Sequence, residues 1–269
     1  MEPKTIEVGG RRFAYRIVGA GPPLLLINGY AATGGDWDPT LLTELGRSFE
    51  VICPDNRGVG GSVLGEDELA VGGMAADLEA LLDALGLQRT PVIGWSMGGF
   101  VAQALARRTP GRVTALGLLS TDPGGAEAVL ADPADWARLI DHSGTPREQA
   151  SRLIALLFPP GLAPEIDRQF GEVVAAARAD LSPATLAAQE RAMAAWHIQS
   201  LGDAPTGTDL LPVLIAHGSE DVVIPAANAE RLAARWPGAR VELFAGGGHA
   251  FMAQEPQRLA ELLVSFVGR

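Results

Sequence analysis

An α/β fold, with a mostly parallel central sheet, helices on both faces and one helical insertion, is predicted by three features of the 269-residue sequence. Short continuous apolar runs recur along the chain, of the kind carried by strands buried on both faces of a parallel sheet. Amphipathic helical patterns separate most of these runs, and strand–helix alternation implies parallel strands joined by crossover helices. The alternation lapses once, from about Asp122 to Asp209, where alanine- and leucine-rich helical stretches are punctuated only by proline and glycine. A helical block of this size between two strands reads as an insertion packed over one edge of the sheet. The expected division is a core of residues 1–121 and 210–269 and a helical cap, or lid, of residues 122–209.

Taken in order, Thr5 to Val8 and Arg11 to Val18 flank Gly9-Gly10, a glycine pair that signals a tight hairpin turn. The parallel-strand runs follow as "PPLLLINGY", "FEVICPD", "TPVIGWS", "VTALGLLS" and "LPVLIAHG", with "RVELFAGG" last. Between them, "MAADLEALLDALGL" places Met74, Leu78, Leu81, Leu82 and Leu85 on one helical face, and Gly86 is placed to end it. "ANAERLAARW" and "PQRLAELLVSFV" carry the same pattern near the end of the chain. Inside the insertion, Ser182-Pro183 is a helix start ahead of "ATLAAQERAMAAW", and "GDAPTGTDLLP" reads as the return linker.

Bulk composition narrows the function. Hydrophobic residues at 47% and charged residues at 20% suit a globular chain with a sizeable core, and a net charge of −11 disfavours nucleic acid and anionic membranes as partners. No run approaches the ~18 apolar residues of a membrane span. No long apolar segment follows Met1-Glu2-Pro3-Lys4, so a secretory leader is not expected and a cytoplasmic location is the default reading. The single cysteine, Cys53, sits in an apolar strand and reads as an inert core thiol.

The chemistry concentrates at "GWSMGG". Pro91 to Gly94 reads as a strand and Phe100 to Arg107 as a helix, so the chain must turn sharply with Ser96 at its tip. Gly94 and Gly98, two positions either side, leave room where strand and helix backbones crowd. Such a turn exposes the serine oxygen above the carboxyl ends of the strands, where open α/β sheets bind ligands. It also aims the backbone N–H of Met97 at the place where an oxyanion forms.

A serine needs a base, and the base needs an orienting acid. Of the four histidines, His142 and His197 fall in the insertion and read as surface or packing residues, and His217 ends a buried strand and reads as a structural hydrogen-bonder. His249 lies in "GGGHAF", on a glycine-rich loop after the last strand, and is the candidate base. Asp221, just beyond the "LPVLIAHG" strand, is the candidate acid, with Glu220 and Asp122 as rivals. The second oxyanion donor is assigned to the backbone N–H of Tyr30, after "PPLLLING". Trp95 beside the nucleophile, with Tyr30, Trp136, Phe158, Phe170, Met193 and Trp196, supplies candidates for an apolar acyl pocket, although each also suits plain packing.

Together "LLLINGY", "VICPDNRGVGGS", "GWSMGG", "IAHGSEDVVIP" and "GGGHAFMAQEP" resemble the α/β-hydrolase superfamily, closest to its lidded branch of carboxylesterases, enol-lactonases and cofactor-free haloperoxidase-like esterases. The resemblance implies a Ser96–His249–Asp221 triad with Tyr30 and Met97 as backbone donors. Asn28-Gly29 stands where many relatives carry His-Gly; an amide also donates and accepts hydrogen bonds, so bracing of the oxyanion loop is expected to survive. "RGVGGS" is not a dinucleotide fingerprint, and no metal-ligand spacing is present, so neither cofactor nor metal is expected. The implied activity is hydrolysis of small to medium, largely apolar esters through an acyl-enzyme. Lactone opening, perhydrolysis and carbon–carbon bond hydrolysis use the same groups and stand as alternatives, and a non-catalytic ligand-binding protein of this fold is the reading from another class.

Overall fold

A computed structural model describes residues 2–199 and 211–268. Eight strands form one sheet: β1 (Lys4–Val8), β2 (Arg11–Val18), β3 (Pro23–Ile27), β4 (Glu50–Pro54), β5 (Thr90–Trp95), β6 (Val113–Leu119), β7 (Val213–Gly218) and β8 (Arg240–Phe244). Their order is β1-β2-β4-β3-β5-β6-β7-β8. The β1–β2 and β2–β4 pairs are antiparallel and all others parallel. The hairpin forms as expected, with Gly9 and Gly10 at φ of 58° and 77°, the backbone that a two-residue turn between right-twisted strands requires.

The continuous apolar runs are explained by two separate cores. Side chains alternate across a strand, so Leu25, Ile27, Ile52, Val92 and Ile215 face one layer, while Leu24, Leu26, Val51, Ile93 and Leu214 face the other. The first layer is built by α2 (Val71–Ala84), α3 (Met97–Arg108) and α8 (Asn228–Arg235), through Met74, Leu78, Phe100, Leu105 and Leu232. The second is built by α1 (Pro39–Leu45), the short α9 (Phe251–Gln254) and α10 (Pro256–Val267), through Leu41, Leu45, Phe251, Leu259 and Leu263. Gly86 follows α2 at φ 70°, consistent with its expected terminating role. Helix α1 has no counterpart in the sequence reading; Asp38 caps it and Pro39 opens it. Cys53 is fully buried in β4, and burial pushes its thiol up to about 12, which leaves it protonated at neutral pH.

Between β6 and β7 the described residues contain no strand. A 3-10 turn (Gly125–Glu127) leads into α4 (Pro133–Leu139), α5 (Pro146–Leu157), α6 (Ala163–Ala179) and α7 (Pro183–Ile198). Asp132, Thr145 and Ser182 cap three of these helices, each just before a proline. Helices α5 and α6 pack as a pair. Helix α7 lies on the first layer through Ala188, Ala192, Met193 and Trp196. Most of the expected return linker, residues 202–210, lies outside the described residues. No described helix is long and apolar enough to cross a membrane.

Candidate active site

Ser96 follows β5 with φ 57° and ψ −126°, a backbone conformation that costs a non-glycine residue ~1–3 kcal/mol. Neighbouring groups hold it there. Its N–H donates to Leu119 O (2.9 Å), and its carbonyl accepts from Gly99 N (2.8 Å) and Thr121 Oγ1 (2.9 Å). The flanking glycines are steric necessities: a Cβ on Gly94 would lie 2.2 Å from Gly98 O, and one on Gly98 would lie 2.2 Å from Ile27 O. Helix α3 begins at Met97, not at Phe100 as the sequence suggested. Glycine is a poor helix former, yet Gly98 and Gly99 are helical because α3 must touch β3 and Thr121 at backbone distance. Met97 therefore opens the helix, where an N–H has no partner four residues back. A Gly98→Ala substitution is expected to cost ~1–3 kcal/mol from overpacking; the chemical denaturation midpoint reads it, and an unchanged midpoint contradicts the close approach.

The loop after β3 passes directly over this turn, since a Cβ on Gly29 would lie 3.1 Å from Ser96 Cβ. Asn28, buried at the strand end, braces the loop from within. Its Nδ2 donates to Thr33 O (2.7 Å), its Oδ1 accepts from Gly29 N (2.9 Å), and its carbonyl accepts from Asn56 Nδ2 (2.8 Å). Asp55, fully buried after β4, binds Arg16 (2.7 Å) and the N–H groups of Gly34 (2.8 Å) and Gly61 (3.0 Å). Arg57 makes a paired contact with Asp77 (2.7 and 2.6 Å). The polar groups of "DNRGVGGS" are thus engaged inside the protein, as a structural turn requires.

Asp221 follows β7, two strands beyond β5, and His249 follows β8, three strands beyond it. They meet: His249 Nδ1 lies 2.8 Å from Asp221 Oδ2, and both residues are buried. Asp221 Oδ1 accepts from Val223 N and Ile224 N, each at 2.9 Å. Burial alone would raise this carboxyl; His249 and His217 beside it outweigh that and hold it well below the usual carboxylate range. An ionised carboxylate only accepts hydrogen bonds, so Nδ1 of neutral His249 carries the proton and Nε2 keeps its lone pair. His217 Nε2 donates to Ile224 O (2.7 Å) and lies 3.3 Å from Asp221 Oδ2, in keeping with a structural histidine.

Trp95 ties this pair to the serine turn. Its indole N–H donates to His249 O (2.9 Å), and its ring centroid lies 5.2 Å from the imidazole. Neither rival acid is the carboxylate on His249 Nδ1. Glu220 is exposed. Asp122 is buried, but its carboxylate binds His197 Nε2 (3.0 Å), Trp196 Nε1 (3.1 Å) and Gly124 N (2.8 Å).

The pocket candidates are dispersed. Trp196 is buried against Phe100, with ring centroids 5.2 Å apart. Trp136 packs half-buried at the edge of the first core layer, and Met193 is buried within it. Phe158 borders the His249 loop, since its Cα is 3.1 Å from a Cβ built on Gly248. Phe170 is 50% exposed. The Tyr30 ring meets the insertion, and its hydroxyl donates to Glu190 Oε1 (2.6 Å), which also contacts His142 Nε2 (2.6 Å). Burial and the Glu190 carboxylate push the Tyr30 phenol well above its usual range. Gln189 and Glu190 escaped the sequence reading because an alanine-rich helix gives no sign of which polar residue faces a loop.

Comparison with known proteins extends these observations. The family model described as alpha/beta hydrolase fold matches residues 22–256. An uncharacterized Mycobacterium tuberculosis protein is 30% identical, covering 98% of this chain and 82% of its own length. A hydrolase from Pseudomonas aeruginosa is 27% identical with a TM-score of 0.81, covering 100% of this chain and 99% of that one. A thermophilic esterase from Thermogutta terrifontis is 26% identical with a TM-score of 0.75, over 98% and 97% of the two chains. The family match spans residues 22–256, most of the chain, and this chain belongs to the alpha/beta hydrolase fold family.

Proposed function

We propose that the protein is a serine hydrolase that cleaves carboxylic esters of small to medium, largely apolar substrates, with residues 122–209 forming a cap over the site. The observation that carries the reading is the buried Asp221–His249 pair beside the strained turn of Ser96. In this account Ser96 attacks the ester carbonyl while His249 Nε2 takes the hydroxyl proton. The N–H groups of Met97 and Tyr30 hold the oxyanion, each such donor being worth ~10²- to 10³-fold in rate. The imidazolium formed is stabilised by ionised Asp221, and it returns the proton to the leaving alcohol. Water then attacks the acyl-enzyme, with His249 again as base, and releases the acid.

Two contacts support the cap assignment: Ala250 N donates to Leu157 O (3.0 Å) beside His249, and α7 reaches the loop carrying Tyr30. A panel of p-nitrophenyl esters from acetyl to octanoyl, with a simple lactone alongside, tests the function. Turnover of the shorter esters is expected, with a fall in kcat/KM as the acyl chain outgrows the pocket. Absence of turnover across the whole panel contradicts the reading.

A further inference from the structure

Helix α7 does more than pack on the first core layer. Its residues Thr185 and Gln189, four apart and so on one helical face, fasten two separate loops of the core. Thr185 Oγ1 donates to Gly58 O (2.9 Å), and Gln189 Nε2 donates to Arg57 O (3.3 Å), both in the loop after β4. Gln189 Oε1 accepts from Ala31 N (2.9 Å), in the loop after β3. Gln189 is fully buried, so water does not compete for these bonds. Ala31 stands at φ 58°, a left-handed conformation that an L-residue with a Cβ rarely adopts. It directly follows Tyr30, so the N–H that Gln189 holds belongs to the Tyr30–Ala31 peptide, the unit next to the one that carries the Tyr30 N–H.

We propose that Gln189 is a positioning residue for the oxyanion hole: by holding Ala31 N it keeps the Tyr30 peptide aimed at the reacting carbonyl. The inference rests on the serine-hydrolase reading above. It makes the insertion part of the catalytic geometry as well as a cover. Without the Gln189 acceptor, Ala31 relaxes towards negative φ and the Tyr30 N–H swings away from the oxyanion. The loss then falls on the transition state, where charge sits on that oxygen, and spares the ground-state ester.

The test compares wild type, Gln189→Met and Gln189→Glu on one short p-nitrophenyl ester, with folding checked by thermal melts. Met matches the length of Gln but accepts no useful bond from Ala31 N; Glu, kept protonated by burial, retains an acceptor oxygen for Ala31 N and an O–H to donate to Arg57 O. Gln189→Met is expected to lower kcat by ~10²-fold, the cost of an oxyanion donor displaced by about an ångström. KM is expected to stay within twofold of wild type, and affinity for an alkylboronic acid, which mimics the tetrahedral adduct on Ser96, should fall in parallel with kcat. Gln189→Glu should recover at least tenfold of that loss. Adding Ala31→Gly to Gln189→Met should also restore part of kcat, because glycine holds positive φ without the clamp.

A Gln189→Met enzyme with wild-type kcat, a loss confined to KM, or a Glu variant as impaired as the Met variant overturns the assignment. If Gln189→Met does not fold, the Glu variant alone decides: kcat within about tenfold of wild type is expected of it, and a larger loss rejects the clamp. A wild type that turns over no ester fails differently: it removes the hydrolase reading, and this inference with it.

Discussion

Replacing Ser96 with alanine is expected to lower kcat for a short p-nitrophenyl ester by ~10⁶-fold while leaving the melting temperature within a few degrees of wild type. The size follows from the proposed chemistry, because no other group can form the acyl-enzyme. Residual catalysis of ~10³- to 10⁴-fold over water should persist through the oxyanion donors and substrate binding alone. The fold should tolerate the change. Alanine keeps the Cβ that already sits at φ 57°, and the bonds that hold the turn run through the backbone of residue 96 and its neighbours. Steady-state kinetics with a melting curve check both halves of the expectation. Activity within tenfold of wild type would remove Ser96 from the mechanism.

Asp221→Asn carries the second large effect. In the proposed mechanism the Asp221 carboxylate, 2.8 Å from His249 Nδ1, fixes the tautomer by accepting from Nδ1 and leaves Nε2 free to take the serine proton. An amide in its place can donate to Nδ1 and drive the proton to Nε2, the wrong nitrogen, with an expected loss of ~10⁴-fold in kcat. The same substitution has a signature in stability. The folded-state pKa of Asp221 is depressed below that of the unfolded chain. Its ionised form therefore stabilises the fold at pH above the unfolded carboxylate value, ~3.9, and that contribution is lost as pH falls through the folded value. The wild type should lose stability over this acid range through Asp221, and Asp221→Asn should show a correspondingly flatter acid limb in urea titrations. A full-strength enzyme, or an unchanged acid limb, would show that Asp221 is not the ionised acceptor that orients His249.

How much of this was legible beforehand depends on the range over which each feature is encoded. The serine turn is local: Gly94 and Gly98 betray it because only glycine fits where a Cβ would meet backbone oxygen at 2.2 Å. The Asp221–His249 meeting spans 28 residues, yet both lie just past strand ends, and parallel strands bring all such ends to one edge of the sheet. The two cores are legible as apolar runs, because a strand buried on both faces has no polar alternation. The start of α3 was misplaced because glycine argues against a helix locally, while packing against β3 overrides that preference. Helix α1 was missed because seven residues are too few for a periodic pattern to stand out.

Least legible were contacts between the insertion and the core. Tyr30 and Glu190 are 160 positions apart, and Ala31 and Gln189 are 158 apart. Nothing in an alanine-rich helix marks which turn faces the loop after β3. Asp122 and His197 illustrate the same limit. Read separately, one is a rival acid and the other a packing histidine; in three dimensions each is the other's partner, 3.0 Å apart.

The proposed hydrolysis depends on one hydroxyl, made reactive by an imidazole whose orientation a buried carboxylate controls. Fluorophosphonate labelling followed by peptide mapping reads this directly, because the reagent captures serines activated as nucleophiles. The wild type should take up a single phosphonyl group on the tryptic peptide containing Ser96, and His249→Ala should take up almost none over the same interval. An unlabelled wild type, a label on another residue, or equal labelling without His249 would contradict it.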